Sequence, residues 1–114
     1  MTNNYRQELD NERVKLAMDE AFTELNNMVI EKWDNLPKLK RLRSCTAWVM
    51  ETPNYYMLRS YETYVAVIDK RNDTLYDALR IVYGYTATSA QHIAKFSHDY
   101  GAGKWGVTER VTGR

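Results

Sequence analysis

Two histidines and one cysteine are the side chains with which this chain of 114 residues could carry out metal or nucleophilic chemistry. His92 and His98 are six positions apart, so on a helix they point to different sides, whereas a helical zinc site places its ligands about four positions apart. Cys45 is the sole cysteine, which leaves no second thiolate for a zinc cluster or a disulfide. The spacing therefore predicts no metal site, and no bound cofactor is expected.

A nucleophilic pair would join Cys45 to His92 or His98, with Asp77 or Asp99 orienting the imidazole. The residues around Cys45 form no turn motif that would expose a thiolate. A lone strand cysteine is usually a small buried hydrophobe, and the ordinary role of His92 is a partly buried imidazole hydrogen-bonded to a neighbouring turn. We therefore expect that the protein is not an enzyme.

Charge is distributed unevenly, although the net charge is only +1. Residues 1–35 carry four Lys or Arg and eight Asp or Glu, whereas residues 36–60 carry five basic residues and one acidic residue. A basic run can contact nucleic-acid phosphates or an acidic protein surface, and a solvated connector beside an acidic helix explains the same residues. The candidate partner-binding residues are Lys38, Lys40, Arg41, Arg43, Glu20, Glu24 and Glu31.

One long helix is predicted over residues 4–35, because this segment is rich in helix formers and contains no Gly or Pro before Pro37. Its apolar residues form a stripe at helical spacing. The members of the stripe are Met18, Phe22, Leu25, Val29, Trp33 and Leu36. A helix of this length either folds over its own sheet or pairs with a second copy to form a homodimer.

Strands are predicted at residues 46–51, 55–59 and 63–69, with turns at Pro53-Asn54 and at residues 70–73. Residues 74–85 are ambiguous, and their Ile, Val and Tyr content favours a strand. Thr88 or Ser89 caps a helix that ends near Tyr100, and residues 104–111 add a last strand.

The expected fold is α+β, with a long N-terminal helix, an antiparallel sheet of three to five strands and a short C-terminal helix packed on the sheet. We interpret residues 1–114 as a single domain, with the helix at 1–36 and the α+β core at 44–112. The first residues lack the apolar core of a signal peptide, and no apolar run approaches the roughly 20 residues that cross a bilayer. These features predict a cytoplasmic protein with no membrane contact.

One composite pattern stands out: Ser60-Tyr61-x-Thr63-x-Val65-Ala66, followed by Tyr85-Thr86-x-Thr88-Ser89-x-x-His92-x-x-x-Phe96. It resembles a small domain of unknown function that is common in phages and mobile elements of Gram-positive bacteria, and the match covers residues 55–101. Small phage proteins of this type are similar in size and style to anti-CRISPR proteins directed at type II-A systems.

The resemblance implies a phage-encoded inhibitor that binds Cas9, or Cas9 with its guide RNA, in the cytoplasm of the bacterial host. Such an inhibitor blocks DNA loading or cleavage. The basic run would then meet guide-RNA phosphates, and the acidic helix would meet a channel lined by Lys and Arg. The alternative function is a phage nucleic-acid-binding accessory or regulatory protein that uses residues 38–43 and exposed tyrosines.

Overall fold

The described part of the chain is a sheet with helices on both faces. The computed structural model describes residues 2–31, 39–41, 47–61, 63–82, 87–101 and 107–112. The helices within these ranges are α1 (Thr2–Glu31), α2 (Leu79–Val82) and α3 (Ala87–Tyr100). The strands are β1 (Leu39–Arg41), β2 (Ala47–Glu51), β3 (Tyr55–Ser60), β4 (Thr63–Asp69), β5 (Thr74–Asp77) and β6 (Glu109–Thr112).

The six strands lie in chain order across one sheet. Strands β1 to β5 form an antiparallel meander, and β6 pairs with β5 in parallel. The predicted α+β class, with its N-terminal helix and its short C-terminal helix, is confirmed. The sheet is mixed instead of wholly antiparallel, because the chain crosses over through α2 and α3 before it returns as β6. Strand β1, which forms inside the predicted basic connector, adds a sixth strand at the edge.

Strand β4 is buried on both of its faces. Ala66 and Ile68 belong to the apolar cluster beneath α3, whereas Val67 between them belongs to the cluster beneath α1. All three have no exposed surface. A strand of this kind needs a covering layer on each side, so the fold has three layers, with α1 on one face of the sheet and α3 on the other.

On the α1 face, one apolar residue from each of five adjacent strands lies in register. This apolar row consists of Met50, Met57, Val67, Tyr76 and Val111. Helix α1 packs on it through a stripe of buried residues, namely Val14, Ala17, Met18, Ala21 and Leu25, with Phe22 partly buried beside them.

The prediction that α1 folds over its own sheet is confirmed, as are the predicted core positions Met18, Phe22 and Leu25. The stripe also extends toward the N-terminus through Val14 and Ala17, and the small side chains of Ala17 and Ala21 allow a close approach to the sheet. Val29 lies in α1 outside the described side chains, and Trp33 and Leu36 lie outside the described residues. None of the described helices has the length and apolar character needed to span a bilayer.

On the opposite face, α3 packs through Ile93 and Phe96 on the cluster that contains Leu58 and Ile68. The helix begins at Ala87, so Thr88 and Ser89 both lie within its first turn, and the prediction that one of them caps the helix is wrong. Ser89 is instead fully buried and hydrogen-bonded to Ser60. The predicted end of the helix at Tyr100 is confirmed, and the Gly101 amide donates to the carbonyl of Ser97.

The ambiguous segment after the third turn divides into a strand and a helical turn. Residues Thr74–Asp77 form β5 as predicted, but Leu79–Val82 form α2, so the strand prediction is wrong there. Residues 83–85 of the predicted strand lie outside the described residues. The cause is Asp77, whose carboxylate accepts a hydrogen bond from the amide of Leu79 at 3.0 Å and so starts a helix. Arg110 on β6 contacts the other oxygen of this carboxylate at 2.6 Å.

We expect the Phe96→Ala variant to lose about 3–5 kcal/mol of unfolding free energy, because the ring has no exposed surface and its removal leaves a cavity between α3 and the sheet. Urea unfolding followed by circular dichroism measures this loss. The control is Leu16→Ala on α1, where the side chain is 69% exposed and the change should stay within about 0.5 kcal/mol. Equal losses in the two variants would contradict the assigned core.

Candidate interaction surfaces

Glu24, one of the predicted partner-binding residues, holds the β2–β3 hairpin against α1. Its carboxylate accepts hydrogen bonds from the Asn54 amide at 2.9 Å, the Asn54 side chain at 2.7 Å and the Thr52 hydroxyl at 2.8 Å. Burial opposes ionisation of this carboxyl, but the hydrogen bonds from Asn54 and Thr52 outweigh it and lower the pKa of Glu24. Glu24 therefore acts inside the fold.

Glu20 also makes a contact within the chain, on Arg71 in the β4–β5 turn. The Arg71 guanidinium binds both oxygens of Asp69, at 3.0 Å and 2.9 Å, and reaches Glu20 at 2.7 Å and the Tyr55 hydroxyl at 3.1 Å. Hydrogen bonds from Asp69 and then Glu20 raise the pKa of Arg71. Burial alone would raise the pKa of the Asp69 carboxyl. The hydrogen bonds that it accepts from Arg71 outweigh this effect, so the pKa of Asp69 is lowered.

A shallow cleft of about 250 Å³ lies between α1 and this ionic cluster. It is lined by Arg13, Leu16, Ala17, Glu20, Tyr55, Asp69, Arg71 and Tyr76. Both arginines are already paired, Arg71 as described and Arg13 with Glu109 at 3.1 Å. The charges that line the cleft therefore neutralise one another, and the cleft does not favour an anionic ligand.

Two of the four basic residues predicted to bind a partner lie in the described part of the chain. Lys40 and Arg41 are in β1, the edge strand, opposite Val49 and Trp48 of β2. Lys38 and Arg43 lie outside the described residues, and Glu31 ends α1 without a described side chain. Lys40 and Arg41 thus lie in the edge strand, whereas Glu20 contacts the β4–β5 turn and Glu24 contacts the β2–β3 turn.

The sequence reasoning missed a row of alternating arginine and aromatic residues. It predicted that Trp48 belongs to the core, whereas Trp48 is only half-buried and lies outside both apolar clusters. Arg41, Trp48, Arg59 and Tyr64 lie opposite one another across β1, β2, β3 and β4. We call this set the arginine–aromatic row. Trp48 and Arg59 each lie two residues from the apolar row in their strands, which places them on the α1 face. In β4 a bulge shifts the register between Leu58 and Arg59, so Tyr64 is three residues from Val67 and still packs against the cluster beneath α1. The Pro53-Asn54 turn is the sequence signal that would have placed Trp48 opposite Arg59.

The described side chains of this row keep part of their surface exposed. Trp48 and Arg59 are half-buried, and Arg59 Nε donates to the carbonyl of Tyr61 at 2.9 Å. Tyr64 is partly covered by Phe22 of α1, whose ring meets it edge-on at 5.2 Å. Helix α1 therefore borders the row at Tyr64.

Ser60, Ser89 and His92 form a buried polar cluster between β3 and α3. The Ser60 hydroxyl lies 2.9 Å from the Ser89 hydroxyl and 2.9 Å from Nδ1 of His92. A hydroxyl beside an imidazole is the pairing that activates a serine nucleophile, but Ser60 has no accessible surface for a substrate. The cluster joins α3 to the end of β3. The expected hydrogen bond of His92 is present, but the imidazole is buried instead of partly buried, and its partner Ser60 lies in β3 instead of in a turn.

The other residues considered for catalysis do not converge with this cluster. Cys45 lies outside the described residues, and His98 is largely exposed and contacts Asp99 of the same helix at 3.1 Å. Across the described ranges, no three His, Cys, Asp or Glu side chains come together as a metal-ion site.

Comparisons of the chain with protein-family models, with curated proteins and with solved structures give no match. The resemblance to a phage domain stays a prediction from the residues quoted for it. The fold and its surfaces define a small three-layer α+β protein, in which the buried Ser60, Ser89 and His92 serve the packing and Lys40 and Arg41 lie in an edge strand of the sheet.

We expect Glu24→Ala to lower the unfolding free energy by about 1–2 kcal/mol, because the amide and side chain of Asn54 and the Thr52 hydroxyl lose an acceptor. Urea unfolding at neutral pH measures the loss. Glu12→Ala, at an exposed position on the same helix, is the matched control and should change little. If both variants unfold at the same urea concentration, the Glu24 contact does not hold the hairpin.

His92 should make stability depend on pH. Burial lowers the pKa of His92 in the folded protein below its ordinary value of 6.5. At a pH between the folded pKa and 6.5, the unfolded chain therefore binds a proton on His92 that the folded chain does not bind. Stability from this group is complete above about 6.5 and is lost as the pH falls through the folded pKa.

The measurement is urea unfolding at pH 7.5 and at pH 5.5. The His92→Gln variant should lose less stability between the two conditions than the unmodified protein, whereas the exposed-site control His98→Gln should follow the unmodified protein. The same pH dependence in all three proteins would show that His92 is not the responsible group.

Proposed function

We propose that this protein is a non-catalytic binding protein, a phage-encoded inhibitor that docks on the Cas9–guide RNA complex in the host cytoplasm and blocks DNA loading or cleavage. The observation that supports this most directly is the position of the basic segment. Its residues Lys40 and Arg41 form the edge strand β1, in a sheet whose acidic neighbours Glu20 and Glu24 are engaged within the fold.

An edge strand supplies two kinds of contact to a partner. Its outer N–H and C=O groups can pair with an extended segment of another chain, and its charged residues select a partner of opposite sign. Within the described sheet, β1 pairs on one side only, with β2. A basic edge of this kind matches an acidic segment or a phosphate backbone.

The guide RNA of a Cas9 complex presents such a backbone, whereas the channel that holds the RNA–DNA heteroduplex is itself positively charged. The basic edge therefore suits the RNA of the complex. The second contact expected from the sequence, between the acidic helix and the basic channel, is weakened because Glu20 binds Arg71 and Glu24 binds the β2–β3 turn. The proposal accordingly centres on Lys38, Lys40, Arg41 and Arg43.

The test is DNA cleavage by purified Cas9 and guide RNA with increasing amounts of the protein. We expect inhibition to be complete near equal amounts of inhibitor and complex. The double variant K40E/R41E should need at least about tenfold more protein, because each reversal replaces attraction to phosphates by repulsion.

The matched control is K15E/K95E, which changes the net charge equally at two positions away from β1, one on α1 and one on α3. It should inhibit as the unmodified protein does, and thermal unfolding should confirm that both double variants are folded. Full cleavage in the presence of excess protein would overturn the proposal.

A second candidate function is a phage nucleic-acid-binding accessory or regulatory protein, which the arginine–aromatic row favours. It requires direct binding of RNA or DNA without Cas9, with an affinity that falls steeply as salt increases. A gel shift in the absence of Cas9 distinguishes this function from inhibition of the complex.

A further inference from the structure

We propose that Tyr61, at the tip of the β3–β4 hairpin, is an anchor residue that inserts into an apolar pocket on the protein part of the partner. The inference deepens the proposed function, on which it rests for the view that the partner is the Cas9–guide RNA complex. It assigns the contact with protein to the hairpin tip, whereas the proposed function assigns the contact with RNA to the basic edge.

Tyr61 occupies a backbone position that disfavours its side chain. Ser60 pairs with Thr63, so the hairpin closes through two residues, Tyr61 and Glu62. Tyr61 has a φ of 56°, in the left-handed region that Gly, Asn and Asp usually occupy in a two-residue hairpin. A bulky residue with this φ costs free energy, and such residues cluster at functional sites. The requirements of the turn therefore do not explain the tyrosine.

Contacts with β3 and α3 hold the hairpin tip in this conformation. Arg59 Nε donates to the carbonyl of Tyr61 at 2.9 Å. Ser60, the preceding residue, is fully buried and lies 2.9 Å from both the Ser89 hydroxyl and Nδ1 of His92. The Tyr61 ring itself meets the His92 ring at a centroid distance of 6.2 Å. The ring is therefore positioned before any partner binds, which lowers the entropy cost of association.

Much of the Tyr61 side chain is open to solvent. Among the described side chains, Tyr61 and Leu16 are the large hydrophobic residues that remain exposed, and Tyr61 is 50% exposed. A tyrosine buries about 150–250 Å² when it is fully covered, so roughly half of that area is left for a partner to cover. A tyrosine that fills a pocket on the partner is among the common energetic centres of protein interfaces.

The charges next to Tyr61 favour protein over nucleic acid as its contact. The next residue in the chain is Glu62, whose carboxylate repels phosphates. The neighbouring His92 imidazole is neutral at pH 7, because burial lowers its pKa. A base stacked on Tyr61 would bring its phosphates close to an anion, whereas an apolar pocket covers the ring without that repulsion.

The topology places this anchor at the end of the sheet where the basic edge strand also ends. Strands β1 and β3 each pair antiparallel with β2, so they run in the same direction. Their last residues, Arg41 and Ser60, are therefore at one end of the sheet, two strand spacings or roughly 10 Å apart. A partner that contains both RNA and protein can cover the two positions together.

The experiment measures binding of the fluorescently labelled protein by anisotropy, with Cas9 loaded with guide RNA as one probe and the guide RNA alone as the other. We expect Tyr61→Ala to weaken binding to loaded Cas9 by about 10–30-fold. Tyr61→Phe keeps the ring and should restore most of the affinity. Toward the guide RNA alone, Tyr61→Ala should behave as the unmodified protein does.

Tyr61→Asn separates binding from folding. Asn suits a positive φ, so the thermal unfolding midpoint should be unchanged or higher, whereas the affinity for loaded Cas9 should fall as it does in Tyr61→Ala. If Tyr61 served only to pack on His92, this variant would unfold at a lower temperature and keep its affinity. The matched control is Leu16→Ala, which removes an apolar side chain that is 69% exposed on α1 and should leave the affinity within about twofold.

Equal affinities of the Tyr61→Ala and Leu16→Ala variants for loaded Cas9 would overturn the inference and leave the proposed function standing. An equal loss on the guide RNA alone would show that the ring stacks on a base, which also overturns the inference. If the unmodified protein does not bind loaded Cas9, the proposed function fails and the inference fails with it.

Discussion

Strand β4 buries side chains on both of its faces, and the remaining elements are placed so as to cover them. Val67 requires α1 on one side, whereas Ala66 and Ile68 require α3 on the other. Because α3 follows β5 and must lie across the sheet, the chain returns at the far edge and β6 pairs in parallel with β5. The three layers and the mixed sheet therefore have one physical cause, which is the removal of a doubly apolar strand from water.

The α1 face of the sheet carries three successive rows of different chemistry. At one end of this face, Asp69 contacts Arg71 and Glu109 contacts Arg13. The apolar row lies in the middle, and the arginine–aromatic row lies at the other end. Exposed ion pairs contribute little to stability, whereas apolar burial contributes much, so the middle row fixes the position of α1 and the ion pairs orient it. The third row lies at the margin of the helix, where Phe22 of α1 meets Tyr64.

Much of the fold could be predicted from the sequence, because local signals specify local structure. Pro53-Asn54 and the turn at residues 70–73 mark the hairpins, and residues 63–69 are apolar enough to identify β4. The parallel pairing of β6 has no local signal, and α2 depends on Asp77 acting as a cap. Glu24 was predicted as a partner contact from the charge distribution. Its true partner is Asn54 in the β2–β3 turn, 30 residues away in sequence, and no local pattern indicates that contact. The register of a tight hairpin would have revealed Trp48 opposite Arg59, but not how far α1 extends over them.

The pairing of Arg13 on α1 with Glu109 on β6 joins residues 96 positions apart, and Val111 of β6 belongs to the cluster beneath α1. A nascent chain cannot complete this layer until β6 has left the ribosome, which at roughly 5–20 residues per second takes several seconds after α1 emerges. During that interval the apolar stripe of α1 has only part of its docking surface. The stripe therefore stays open to water or to chaperones until β6 has been synthesised.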